Sequence, residues 1–262
     1  MSSLSLAMVA LGDKPQVSGV AITKDLAATW PMLPKATELG EKDGTLSFSV
    51  GPGIVAMGLM PAPIPWSDLE GPCATSWLWP KATEDLKNHK QHLIVTVMGE
   101  RPAIERAKLL TQVVAAVLAT CPQAIGVYWG DATLVIPGPV FRDFAVEMLP
   151  DGLPLPVWID LRVGPGENGK MAGFTTGMKA LGHMELETLN SPESPGGLRE
   201  RLMSLCEYLL VNGPVIKDGH TVGESADEKI RVVHSPSAFG QEGQVMRLDY
   251  EAAQKKPWWK VW

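Results

Sequence analysis

GPGIVAMGLMPAPIPW, Gly51–Trp66, is the stretch on which the reading of this chain turns. The apolar run Ile54–Met60 stops in three prolines at alternate positions, Pro61, Pro63 and Pro65, followed by Trp66. The run is too short to cross a membrane, and its lack of alternation predicts a strand buried on both faces. Each proline lacks an N–H and fixes φ near −65°, so the exit must be extended and unpaired. Ser67, Asp68 and Glu70 then have the character of a helix start. A core strand therefore leaves its sheet on a stiff strap that delivers a helix to a fixed place.

Working outward, Thr45–Val50 alternates Leu46, Phe48 and Val50 with Thr and Ser, the pattern of a half-buried strand. Gly51-Pro52-Gly53 turns it into Ile54–Met60, so the two form a hairpin. Upstream, Leu4–Leu11 reads as a strand, and Gly19–Trp30 as a helix capped by Ser18 or Thr23. Downstream, Trp66–Glu70 and Ser76–His89 read as two helical pieces broken near Gly71-Pro72, and His92–Met98 as a β-branched strand. The order strand, helix, strand, strand, helix, strand is that of a ferredoxin-like split βαβ unit. Arg101–Thr120 carries a broad apolar stripe of helical period from Ile104 to Leu118. A strand at Ile125–Trp129 and a helix at Pro139–Leu149 complete a first domain, residues 1–150.

Pro150–Pro156 is rich in breakers and reads as a linker into a second α+β domain, residues 151–262. There a hairpin turns at Gly164–Gly169, a strand follows at Met184–Leu189, and Ser194–Val211 is an amphipathic helix. Three or four short strands occupy Pro214–Tyr250, predicting a mostly antiparallel sheet. The fold class expected is α+β in both halves. Their shared hairpin-then-helix order admits a worn duplication of one unit.

The net charge of −6 argues against nucleic acid as a direct partner, because phosphate neutralisation needs a basic face, and suits a basic protein partner. Cys73, Cys121 and Cys206 are an odd number without CxxC spacing, which argues for reduced thiols and against a disulfide frame or a zinc knuckle. The N-terminus has no basic residue ahead of its apolar run, and no run approaches the roughly 20 apolar residues of a membrane helix. The expectation is a cytoplasmic protein with no membrane association.

Candidate chemistry is sparse. His89 and His92 form HxxH with Glu84 and Asp85 a turn upstream, but the general-base Glu and i, i+4 spacing of a zincin are missing, so the imidazoles read as structural. Gly164–Gly169 lacks the Lys-Ser/Thr ending of a phosphate loop and reads as a hairpin turn. Cys121, at a helix C-terminus, is a poor nucleophile. No cofactor or metal is expected. Glu224, Asp227 and Glu228 form an acidic loop that could meet a basic partner, and Trp258 and Trp259 in the tail could anchor an interface. The competing reading gathers Trp66, Asp68, His89 and His92 into a pocket beside the strap, for an enzyme or a small-molecule binder.

The segments GLMPAPIPW (Gly58–Trp66), NHKQHLIVTVMG (Asn88–Gly99), ERAKLLTQVVAAVL (Glu105–Leu118), GVYWGDATLV (Gly126–Val135), LPLPVWIDL (Leu153–Leu161) and VIKDGHTVGESADEKI (Val215–Ile230) resemble the bacterial family known as domain of unknown function 4261. The resemblance implies a cytosolic protein with no catalytic residues to carry over. Some members sit beside effector genes of contact-dependent secretion, type VI in particular, where an immunity protein is expected. The expected function is thus a cytoplasmic immunity protein that binds and neutralises a secreted toxic effector, a basic nuclease being the best fit to the charge.

Overall fold

The computed structural model describes residues 4–42, 44–149, 151–225 and 228–250. The chain divides into two units, Met1–Trp158 and Ile159–Trp262.

The first unit runs β1 (Leu4–Leu11), α1 (Gly19–Thr29), β2 (Ala36–Lys42), β3 (Thr45–Val50), β4 (Gly53–Met60), α2 (Trp66–Thr75), α3 (Ala82–Leu86), β5 (Gln91–Met98), α4 (Ala103–Thr120), β6 (Ala124–Trp129), β7 (Leu134–Pro137), α5 (Gly138–Met148) and α6 (Leu155–Trp158). Ser18 caps α1, its hydroxyl accepting from the Ala21 N–H at 3.3 Å. The seven strands stand in the order β2-β3-β4-β5-β1-β6-β7, every pair antiparallel.

The α+β class holds, and the ferredoxin-like strand order does not. That order would place β1 between β4 and β5, antiparallel to both. Instead β5 lies between β4 and β1, with Ala56 facing Thr96 and Leu6 facing Thr96 from the other side. The cause lies in the extra strands: β6 pairs with the free edge of β1, and β7 extends it.

Strand alternation sorts the core into two faces. Val9, Val127 and Trp129 point to the side where α4 and α5 pack, with Trp129 tilted against Phe141 of α5 at 5.9 Å between ring centres. Met8, Ala10, Tyr128 and Val135 point to the other, where α2 and α3 close over Ile64, Leu69, Trp79 and Leu86. Trp79 needs a seat without a side chain, and Gly126 provides it: a Cβ there would lie 2.4 Å from the indole and 2.7 Å from the Ile136 carbonyl oxygen. Gly126→Ala should therefore cost about 1–3 kcal/mol by overpacking, visible as a lower urea midpoint.

Strand β4 is not buried on both faces. Val55 and Met57 are buried, while Ile54 on the opposite face is 48 % exposed. The helices that cover this face lie over β1, β6 and β7, so the continuous apolar run meets helix on one side only along β4. The helical break also falls elsewhere. Pro72 lies inside α2, and the chain breaks at Ser76–Lys81, where the Ser76 hydroxyl donates to the Val135 carbonyl and accepts from the Trp79 N–H.

The residues read as a linker belong to the first unit. Leu155, Val157 and Trp158 of α6 are buried, and the Trp158 indole N–H donates to the Thr111 hydroxyl of α4 at 2.7 Å.

The second unit runs β8 (Asp160–Pro165), β9 (Met171–Thr176), β10 (Leu186–Ser191), α7 (Pro195–Asn212), β11 (Thr221–Val222), β12 (Ile230–Pro236) and β13 (Gln244–Asp249). Its sheet has the order β11-β12-β13-β10-β9-β8 and is antiparallel except for β10 with β13. The two sheets thus differ in connectivity and in this parallel pair, and neither repeats the other. The β8–β9 turn closes with the Gly166 N–H on the Lys170 carbonyl, and Asn168 and Gly169 take positive φ, so Gly164–Gly169 is a hairpin turn. Leu198, Leu202, Cys206 and Leu209 of α7 are buried at helical spacing. Among the described residues, no helix is long and apolar enough to cross a membrane.

Candidate functional site

Two places carry the polar residues that the sequence singles out, one in each unit.

The first is the proline strap. His92 opens β5, and its Nδ1–H donates to the Ala62 carbonyl at 2.8 Å. His89 stands just before it, with Nε2 accepting the Ile64 N–H at 2.7 Å and Nδ1–H donating to the Leu86 carbonyl at 2.6 Å. Both imidazoles are buried. A strap of alternate prolines has few N–H groups, and this pair satisfies one N–H and one C=O of what remains. Burial pushes the His89 pKa below its ordinary value. The Leu86 carbonyl opposes that shift and His92 adds to it.

Trp66 packs partly buried against the Ile64–Leu69 cluster, while Asp68 is exposed on α2. The structure therefore brings His89 and His92 together at the strap, with Trp66 on the adjoining cluster and Asp68 turned to solvent. Upstream, Asp85 accepts the Trp79 indole N–H at 2.7 Å. Among the described residues, no group of three or more His, Cys, Asp and Glu is placed to hold a metal ion. All three cysteines are free and buried, and burial raises the thiol of each, Cys73 to about 11.

The second place is a cleft of about 440 Å³ in the second unit, between α7 and the strand-and-loop segment Val215–Glu224. Arg201, Leu205 and Tyr208 recur at i, i+4 and i+7, so one stripe of α7 faces it. Leu205 is half-buried on this wall, where the apolar period alone would put it inward; Cys206 takes the inward place. Val215, Ile216 and Val222 form the apolar side opposite.

Arg201 organises the acidic loop. Its Nε–H donates to Glu193 at 2.5 Å, and both terminal nitrogens donate to Glu228, at 3.3 and 2.8 Å. Glu224 stands 3.7 Å from Nη2. Tyr250 donates its hydroxyl to Glu193 at 2.6 Å, and Glu228 also accepts the Glu224 N–H at 2.7 Å. Burial works against the charge of Arg201. The Glu193 hydrogen bond and the surrounding carboxylates outweigh it and hold the guanidinium pKa above its ordinary value. Three carboxylates around one guanidinium leave an excess of negative charge. It is concentrated on Glu224, whose side chain is 79 % exposed against 10 % for Arg201.

Of the residues expected in an acidic rim, Glu224 and Glu228 are thus placed together, and Glu228 is committed to Arg201. Asp227, Trp258 and Trp259 lie outside the described residues. Arg201 itself is not legible as a site residue: it is one cation in an amphipathic helix, and its bidentate partner lies 27 positions away.

Residues 174–249 match the family model described as Domain of unknown function (DUF4261). That is the family the sequence resembles. The DUF4261 segment contains the whole cleft wall and the last of the resembling stretches, Val215–Ile230, whereas the other resembling stretches lie outside it. No curated protein and no solved structure matches the chain.

Proposed function

We propose that this protein is a cytoplasmic immunity protein that binds a secreted toxic effector of a type VI secretion system, a basic enzyme such as a nuclease, and blocks it. The observation that carries the reading is the α7 cleft, in which apolar walls lead to a carboxylate surplus ending at exposed Glu224. Charge of one sign at the mouth of a concave surface speeds encounter with a partner of the other sign, and an apolar floor with an aromatic wall supplies the area that holds it. The net charge of −6 acts in the same sense. The resemblance adds that some members of that family sit beside effector genes.

Co-expression with the neighbouring effector tests this. Growth should recover, and the two chains should co-elute as one complex in size exclusion at moderate salt. Persistent toxicity with separate elution overturns it.

A further inference from the structure

The cleft in the second unit is specific about the chemical group it fits, a conclusion that rests on the binding role proposed above. Arg201 spends its Nε–H on Glu193 and its terminal N–H groups chiefly on Glu228, so these two carboxylates are matched within the fold. Glu224 is held only at 3.7 Å and faces solvent. Arg201 is almost fully covered by its partners, so an incoming group meets the Glu224 carboxylate rather than the guanidinium. His220 is the other basic side chain on the wall, and it is exposed at the rim. Leu205 of α7 and Val222 of β11, both partly buried, line the cleft together with the half-exposed ring of Tyr208.

Apolar walls below an unmatched carboxylate, with an aromatic face alongside, describe the complement of a long cationic side chain. Such a side chain has a methylene stem that takes apolar contact and a charged head that takes a carboxylate and a ring. An anionic group would meet the carboxylate surplus, and a purely apolar one would leave Glu224 desolvated without a partner.

We propose that this cleft receives one arginine or lysine side chain projecting from the partner, with its stem between Leu205 and Val222 and its head at Glu224 and Tyr208. Glu193 and Glu228 are positioning residues: they fix Arg201 and, through the Glu224 N–H on Glu228, the loop that presents Glu224.

The test is an amide NMR titration of the full chain with three capped tripeptides, Ac-Ala-Arg-Ala-NH2, its lysine counterpart and its citrulline counterpart, which keeps the shape of arginine without the charge. The arginine and lysine peptides should shift the Ser204, Tyr208, Val222 and Glu224 amides saturably, and added salt should weaken the effect. Citrulline, and the Glu224→Gln variant with the arginine peptide, should each bind about threefold more weakly, the size expected of one solvent-exposed ion pair. Equal response to citrulline, an unaltered response in Glu224→Gln, or no saturable shift up to about 10 mM peptide overturns the assignment. Toxin protection separates the two proposals. Protection without a peptide response removes the cleft assignment alone, and a peptide response without protection removes the toxin role alone.

Discussion

Arg247→Met should be among the most destabilising single substitutions in the second unit, at about 3–5 kcal/mol. Glu187 and Arg247 face each other in register on the parallel pair β10–β13. The Glu187 side chain is 0 % exposed, and Arg247 reaches it through Nε at 2.7 Å and Nη2 at 2.6 Å. Ser237 and the Ala238 N–H complete the coordination of the carboxylate. Removing the cation leaves a buried carboxylate without its counter-charge. The double variant Glu187→Met with Arg247→Met removes both charges and should recover most of the loss, because the pair's own attraction is largely cancelled by its desolvation. Urea midpoints of wild type, single and double variants decide the matter. A single variant within about 1 kcal/mol of wild type would mean that the pair is not closed in solution.

Acidification should loosen the first unit through His89. In the fold this imidazole is neutral, with Nε2 accepting from Ile64, and a proton there would face an N–H that is itself a donor. The folded pKa lies below the ordinary value of 6.5, chiefly by burial. The unfolded chain therefore binds the proton first as pH falls, so stability is fully present above about pH 6.5 and is lost as pH drops through the lower folded value. His183 in the second unit is shifted in the same direction by burial, so the slope must be isolated by a variant. His89→Leu should abolish the His89 part of the slope. It should also cost about 1–3 kcal/mol at neutral pH, because it orphans the buried Ile64 N–H. Urea unfolding at about pH 5 and pH 7.5, read by tryptophan fluorescence, gives both numbers. An unchanged pH slope in His89→Leu would show that the strap is pinned by something other than this ring.

Local chemistry was legible where period and punctuation agree. The β3–β4 hairpin, α4, α7, the Ser18 cap and the Gly164–Gly169 turn all follow from residues close in sequence. The order of strands did not, because nothing local says that β5 lies between β4 and β1; that is decided by β6 and β7 joining the far side of β1. The run Ile54–Met60 misled because apolar composition reports what a strand could bury, whereas helix placement decides which faces are covered. At the strap, the proline spacing showed that the segment is stiff, but that His89 and His92 hold it could not be read, since Ala62 and Ile64 are 25 to 30 residues distant. In the cleft, Glu224 and Glu228 were legible as a charged loop, while the cation that organises them was not.

Strand β2 has a further consequence. It forms one rim of the larger sheet, with all but its first residue exposed, a register shift between Thr37 and Gly40, and positive φ at Glu38. Charges at Glu38, Glu41 and Lys42 line it. A foreign strand offered to that rim meets an uneven ladder and would have to bury ions, while the opposite rim, β7, is only four residues long. Ladder growth from molecule to molecule is thereby discouraged at both margins of this sheet.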